Sequence, residues 1–568
     1  MNTLTPQVAR AAGPSDVDRT DARLGTVRRL YFYLVALISS TAMLASFDSL
    51  VGALAEAWLD GDPILTVSAR GFLLRSISLS GAVLVVAAPI FLLHWAMIQG
   101  RLDQAQERTA GLRKFFLYLA SAIAVGYLLS YGQELVGSTA RLAFGDPMRS
   151  SPIFPARWAN LLGTSLVAAL LLYYWQQTLR DDGDLGREGG VAAVWRRLFQ
   201  AGVLLVGLTM AVSGLAKVLS ALILELVDWG QTTIGPSWLA ARTGSGVGQV
   251  IAGLWVAHIV RLAWQELTER FPAENQSSIK RLFYYVAVVG GAIATLVPVA
   301  IVLRLFLLFL FGVDEVTRAS LLRSLAVPLG YLPGGLFVWR RYWQQIKQLQ
   351  ALHGETPEAA TIRRIYYYAV AATGLVLVWL GSVKIVQVVL DTLLTADDLK
   401  DSLIWKRPLA TGLSLLAVGA PVWALHWRTV QSQARAATPD GAEERGSLPR
   451  RIYLYAVAFA GAILILYYLA QVIYHFFLYA LGDTTVVLLS PELAENLARS
   501  AIAALLWLVH LLALRGDGRQ AAVLNDDDAA AEKRRERQRA RLVEQAETLE
   551  AELAAVRARL AEMEDGST

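Results

Sequence analysis

Apolar residues in this chain gather into long unbroken runs instead of alternating with polar ones, and short polar stretches punctuate them at regular distances. A helix needs about 20 apolar residues to cross a hydrocarbon core of about 30 Å, and the runs reach that length. Ile365–Leu390 and Leu409–Trp427 are one such pair. The punctuation repeats. A basic doublet followed by aromatics occurs as RRLYFY, RKFFLY, RRLF, KRLFYY, RRIYYY and RRIYLY, with first cations at 28, 113, 196, 280, 363 and 450, hence intervals of 85, 83, 84, 83 and 87. A period this constant marks an internal repeat. Each copy holds two apolar runs, so the pattern predicts an all-α, polytopic membrane protein with twelve transmembrane helices in six tandem two-helix repeats: 28–112, 113–195, 196–279, 280–362, 363–449 and 450–515.

The second helix of each copy ends on its own signature: His94-Trp95, Tyr174-Trp175-Gln176-Gln177, His258 with Trp264, Tyr342-Trp343-Gln344-Gln345, His426-Trp427, and Trp507 with His510. The alternation of His-Trp and Tyr-Trp-Gln-Gln points to an older four-helix unit copied three times, a pattern that copy six breaks.

Composition agrees with the pattern. The chain is 568 residues long, 55% hydrophobic and 17% charged, with a mean hydropathy of +0.44, too apolar for a water-soluble protein of this size. It has no cysteine, which removes disulfides, thiolate metal sites and thiol catalysis. HExxH, P-loop and G-x-S-x-G patterns do not occur. His94, His258, His426 and His510 occupy comparable helix ends in different copies, not metal-ligand spacing. No enzyme activity, cofactor, metal or nucleic-acid partner is expected. Residues 1–27 are polar and lack a secretory apolar core, and are read as a disordered tail.

Cations concentrate between copies, as with Arg340, Arg341, Lys347, Arg363 and Arg364, whereas the turns inside copies hold few. The positive-inside rule then places both termini and all inter-copy loops in the cytoplasm. An even number of helices per copy inserts every copy the same way up, unlike an inverted-repeat transporter. The doublets and ring-bearing helix ends are expected to fix depth in the bilayer as interface anchors: Arg28, Arg29, Arg363, Arg364, Arg450 and Arg451, with Trp95, Trp175, Trp343 and Trp427. Six sites for lipid headgroups or anionic ligands form the sharper alternative.

Twenty-one positions beyond each first cation, roughly 31 Å along a helix, lie Ser49 beside Asp48, Glu134, Lys217, Ile301 ahead of Arg304, Lys384 and Gln471. These candidate outer-end polar sites face Arg75, Arg157, Arg242, Arg323, Arg407 and Arg499 at the starts of the second helices. Asp48 with Arg75 and Glu134 with Arg157 are the expected pairs, and Lys217 or Lys384 could meet an acid from a neighbouring copy. Ion pairs tying helix tops together and a solute vestibule marked by Lys217 and Lys384 are both open. Mid-helix positions carry small residues such as Ser39, Ser40, Thr41, Gly207, Gly290, Gly291 and Gly374, which favour close packing. Pro89, Pro298, Pro328, Pro333 and Pro421 fall inside the runs, as kinks or simply as shaping residues.

After a linker at 516–529, residues 530–564 place Leu542, Ala546, Leu549, Leu553, Val556, Leu560 and Met563 in steps of four and three, a coiled-coil seam of three heptads. With Leu542 at d, Glu552 (g) and Arg557 (e), and Arg559 (g) and Glu564 (e), attract between parallel chains. The expected oligomerisation contacts are Leu542, Leu549, Leu553, Val556 and Leu560; a solvated single helix is the other reading.

The doublet-plus-aromatic openings and the LHW endings at His94-Trp95 and His426-Trp427 resemble a family of bacterial integral-membrane proteins of unknown function, built from tandem two-helix domains and typical of Chloroflexus-like bacteria. The resemblance covers nearly all of 28–514, departs at Gln200-Ala201, and lacks the His-Trp pair in copy six. It implies the fold and a bacterial inner membrane, and no chemistry. Three functions stand open: a membrane scaffold or assembly component, homo-oligomeric through its C-terminal helix, with the lipid bilayer and an unidentified membrane or cytoplasmic partner; a passive channel or transporter; and a membrane enzyme, which has least behind it.

Overall fold

The computed structural model describes residues 16–59, 67–103, 105–145, 153–183, 185–228, 236–313, 316–353, 357–394, 405–482 and 490–565. Every regular element among them is helical. Twelve helices are long and apolar enough to cross a membrane. In order these long helices are α1 (Asp16–Leu59), α2 (Val67–Gln99), α4 (Gly111–Ala143), α5 (Ile153–Asp181), α6 (Gly190–Val227), α7 (Pro236–Arg270), α8 (Ser278–Leu310), α9 (Arg318–His353), α10 (Pro357–Leu394), α11 (Lys406–Arg435), α13 (Leu448–Ala480) and α14 (Pro491–Asp565). Short α3 (Ala105–Arg108), a 3-10 turn (Pro272–Gln276) and α12 (Pro439–Gly446) each precede an even-numbered copy. Helices suit such runs because every backbone donor and acceptor is satisfied within the segment. Pro89, Pro298, Pro328, Pro333 and Pro421 all lie inside continuous helices.

The chain divides into two compact units, residues 1–363 and 364–568. In the first, each copy is a helical hairpin, and the first helix of a copy also packs on the second helix of the next: α1 on α5, α4 on α7, α6 on α9. First helices run side by side, so each hairpin is wedged into its successor. The second unit repeats the rule, with α10 reaching α14 through Lys384 and Glu495.

Small residues allow this wedging. Eleven positions after the first cation stand Ser39, Ala124, Gly207, Gly291, Gly374 and Gly461, all buried. A Cβ at Gly291 would lie 2.5 Å from the Trp339 nitrogen, and one at Gly374 2.7 Å from the Trp423 nitrogen. Helix α7 is small on two sides. Gly246 and Gly253 meet Gly214 and Gly207 of α6, while Gly244 and Gly248 meet Gly137 of α4. Backbones at this distance gain dispersion contacts that bulkier residues would forbid.

Two tail expectations differ from the structure. Asp16–Val27 belongs to α1 instead of being disordered, while residues 1–15 lie outside the described residues. The expected linker at 516–529 is helical, so α14 runs for 75 residues from the last apolar span to Asp565 without interruption. Neither stretch contains a proline, and both continue a helix already nucleated by its neighbour.

Candidate functional site

In five of the six copies at least one cation of the doublet is held by a carboxylate. In copy one, Arg29 donates through Nε and Nη2 to both oxygens of Glu107, 78 residues on, at 2.8–3.0 Å. Arg197 grips Glu274, 77 residues on, at 2.8 and 3.0 Å, and Arg364 grips Glu444, 80 residues on, at 2.8 Å. The acids stand alike in the repeat: Glu107, Glu274 and Glu444 each lie six residues before the next doublet. Copies two and six use the first cation instead. Arg113 forks onto Asp182 at 2.9–3.1 Å and Lys114 reaches the same carboxylate at 3.0 Å; Arg450 forks onto Asp517 at 2.7 and 2.9 Å. Side-on forks of this kind satisfy both carboxylate oxygens at once.

Arg113, Lys114 and Arg450 are fully buried, and Arg196, held between Glu188 and Glu274 at 2.9 Å, is nearly so. Trp95, Trp175 and Trp427 are buried as well. Trp95 lies under the Arg113 guanidinium and Trp427 under Arg450, each at 5.9 Å. A lipid-facing belt therefore does not describe these residues. Burial costs a cation far more than interfacial exposure does, and a forked carboxylate plus a ring face offset that cost. Arg28, Arg451 and half-buried Arg363 and Trp343 keep access to the surroundings. Sequence reasoning missed the acids. Their signal was the constant offset before each even-numbered doublet.

Glu274 sits between α7 and α8, outside the apolar spans. Burial raises its pKa, and the hydrogen bonds from Arg197 and Arg196 outweigh that and hold it below the ordinary carboxylate value.

Histidines lock the hairpins at the same end. His510 Nδ1 lies 2.7 Å from the Leu506 carbonyl and His426 Nδ1 2.8 Å from that of Val422. A carbonyl only accepts, so Nδ1 carries the proton and Nε2 is free to accept. Nε2 of His510 takes the Tyr453 hydroxyl at 3.0 Å, and that of His94 takes Tyr31 at 3.3 Å. Each tyrosine stands three positions after its first cation.

At the opposite end the candidate polar sites divide. Asp48 accepts from Tyr131 at 2.6 Å and Thr164 at 2.9 Å, both in copy two, and not from Arg75. A neighbour's hydroxyls replace the expected intra-copy pair because α1 packs on both α4 and α5. Glu134 pairs with Arg157 at 2.5 Å. Lys384 reaches Glu495 of the next copy at 3.0 Å, and Lys217 donates to Ser245 at 3.3 Å. Arg323 pairs with Asp228 at 2.7 Å, a contact the sequence reading did not foresee. Arg304 and Gln471 are half-buried. These contacts tie neighbouring helices together.

Copy four stands apart. Between α6, α7, α8 and α9 lies a cavity of about 770 Å³ whose lining includes Arg261, Lys280, Arg341, Tyr284 and Tyr342, with no carboxylate. Lys280 rests over the Trp264 ring at 5.8 Å, as Arg113 and Arg450 rest over theirs. Its polar partner is the Asn275 side-chain oxygen at 3.0 Å. Among the described residues no His, Asp or Glu cluster has metal-site geometry.

Wedged helical hairpins with buried cation clamps define a tandem-repeat protein whose apolar helices could fill a bilayer. The chain belongs to the family described as Domain of unknown function (DUF5671), which matches three times, at residues 29–174, 197–336 and 364–492. Each match begins on a clamp arginine, Arg29, Arg197 or Arg364, in an odd-numbered copy and runs on into the copy that follows, so three matches fall on six copies, in line with the older four-helix unit that the alternating helix-end signatures pointed to. Neither a curated protein nor a solved structure matches the chain.

Proposed function

We propose that the protein is a non-enzymatic component of a bacterial cytoplasmic membrane, with both termini on the cytoplasmic side, that scaffolds an assembly by joining copies of itself through its C-terminal helix. The observation that carries this reading is α14, in which the last apolar span passes into a tail exposing Leu542, Leu549 and Leu553. The side chains of Val556 and Leu560 lie outside the described residues. Exposed leucines at a and d spacing are covered when a second copy lies alongside, and the Glu552–Arg557 and Arg559–Glu564 positions attract between parallel chains. Tails leaving one membrane face are parallel by construction. Within the chain, Glu107, Asp182, Glu274, Glu444 and Asp517 are occupied holding arginines, which suits a packed scaffold better than general acid–base chemistry. Lys384, a sequence marker of a solute path, is occupied by Glu495. Deleting residues 526–568 and measuring the mass of the detergent-solubilised protein by light scattering tests the proposal: the mass falls to that of one chain, and an unchanged mass overturns it.

A further inference from the structure

Copies two, four and six share one construction. The first cation of the doublet lies over a tryptophan of the preceding copy, Arg113 on Trp95, Lys280 on Trp264 and Arg450 on Trp427. In copies two and six an aspartate completes the clamp, 69 and 67 residues further along. The corresponding positions in copy four are Leu349 and Lys347. The acid has gone while the cation and the ring remain. The second cation does not substitute for it: Arg281 is buried, and its Nε and Nη2 have no hydrogen-bond partner among the described residues. A second, smaller cavity of about 20 Å³ touches Arg281, Tyr284 and Leu349.

The large cavity opens beside Lys280, Leu349 lines the smaller one, and Tyr284 borders both. The large cavity's polarity changes along the helix axis. Lys280, Gln265 and Gln345 lie at the doublet end, Arg261 and Arg341 follow, and Leu204, Leu208, Leu254 and Phe337 line the deeper part. From Thr268 to Leu254, α7 covers about 21 Å at 1.5 Å per residue. Three cations at one end with no carboxylate among the lining residues, Glu274 acting on Lys280 from outside the lining, and hydrocarbon at the other end match an amphiphile with a negative head. The volume is that of a small-molecule site, far more than a few waters need. A soluble anion would leave the apolar half of the cavity unfilled.

We infer that this cavity binds an anionic phospholipid, whose phosphate takes the place of the carboxylate that copy four lacks and whose chain lies along Leu204, Leu254 and Phe337. Arg261, Lys280 and Arg341 face the phosphate, and the Tyr284 and Tyr342 hydroxyls are placed to donate to it. Zwitterionic lipid has the same phosphate with a cation attached, which these side chains repel. The inference uses copy four alone and does not depend on the tail or on oligomerisation.

The test uses the full chain, purified in detergent and titrated with phosphatidylglycerol or with phosphatidylcholine of the same acyl chains, with bound lipid counted by native mass spectrometry. The wild type retains phosphatidylglycerol in excess over phosphatidylcholine. The double variant R261Q/R341Q, both at partly accessible positions, loses that excess by about tenfold because the two charge-assisted contacts are gone. Leu349→Asp, which restores the internal acid, removes it too; if this variant does not fold, as read by its melting transition, R261Q/R341Q decides alone. Equal retention of the two lipids, or an excess that survives R261Q/R341Q, overturns the inference. Inorganic phosphate distinguishes the remaining source. Ala257→Trp fills the apolar half, so it weakens phosphatidylglycerol retention; if it does not, and millimolar phosphate displaces the lipid from wild type and variant alike, the site is one for free phosphate and the lipid assignment falls.

Discussion

Removing the Asp182 carboxylate would take contacts from two cations at once, because Arg113 and Lys114 both reach it and neither is exposed to solvent. Asp182→Asn therefore costs about 3–5 kcal/mol, the range for breaking a buried pair, read as a lower melting temperature in detergent. The Lys384–Glu495 pair forms the contrast. Its side chains keep 34% and 27% of their exposure, so Glu495→Gln costs under about 1 kcal/mol. Glu274 adds a pH dependence. Its folded pKa lies below the unfolded value, so its stabilisation is complete above the ordinary carboxylate pKa of about 4.3 and is lost as pH falls through the lower folded value. Melting curves of the wild type should drop over that acidic window relative to those of Glu274→Gln, which lacks the titration. The period and position of the doublets were legible in the sequence, but their burial was not. An arginine that snorkels and one that is clamped are written with the same letters, and what sets the buried Arg450 apart from the exposed Arg451 is an aspartate 67 residues away.

At the scale of elements, the hairpins wedge because α7 is small on two faces. A Cβ on Gly253 would meet the Gly207 carbonyl oxygen at 2.5 Å and the Ala211 nitrogen at 2.6 Å, with backbone on both sides and no flexible end to yield. Gly253→Ala should push α6 and α7 apart and cost about 1–3 kcal/mol. Gly126 has nothing within 4 Å of its Cβ position, so Gly126→Ala leaves the melting temperature unchanged or higher. Comparing the two variants separates close approach from the general cost of changing a helix glycine. Twelve helices, their order and their approximate ends were readable from apolar run length. The partner of each helix was not. Asp48 was expected to answer Arg75 in its own copy, and it accepts from Tyr131 and Thr164 because α1 lies against the following hairpin. Repeat sequences constrain contacts within a copy and between copies equally, and only packing separates them.

At the scale of the whole molecule, the three family matches divide the repeat region into three stretches, each opening on an odd-numbered copy. In the outer two, the doublet of the second copy is held by an aspartate beyond the matched stretch, Asp182 or Asp517, whereas in the middle one Lys280 of the corresponding doublet lines the cavity. The last helix is the other departure from pure repetition. At 1.5 Å per residue, its 75 residues form a rod of about 110 Å. A continuous helix transmits rotation, so in the proposed assembly the angular phase of the tail's leucine seam would fix which face of the last span points toward a neighbouring copy. One residue inserted near position 525 turns that face by about 100°, while seven restore it to within about 20°. The chain has no cysteine, so single cysteines placed around the span from Pro491 to Gln520 can report the phase by crosslinking. The pattern should shift with one inserted residue and return with seven. In mechanical terms the tail of the proposed assembly would be a key cut to one orientation, indexing the last span of each protomer against the next.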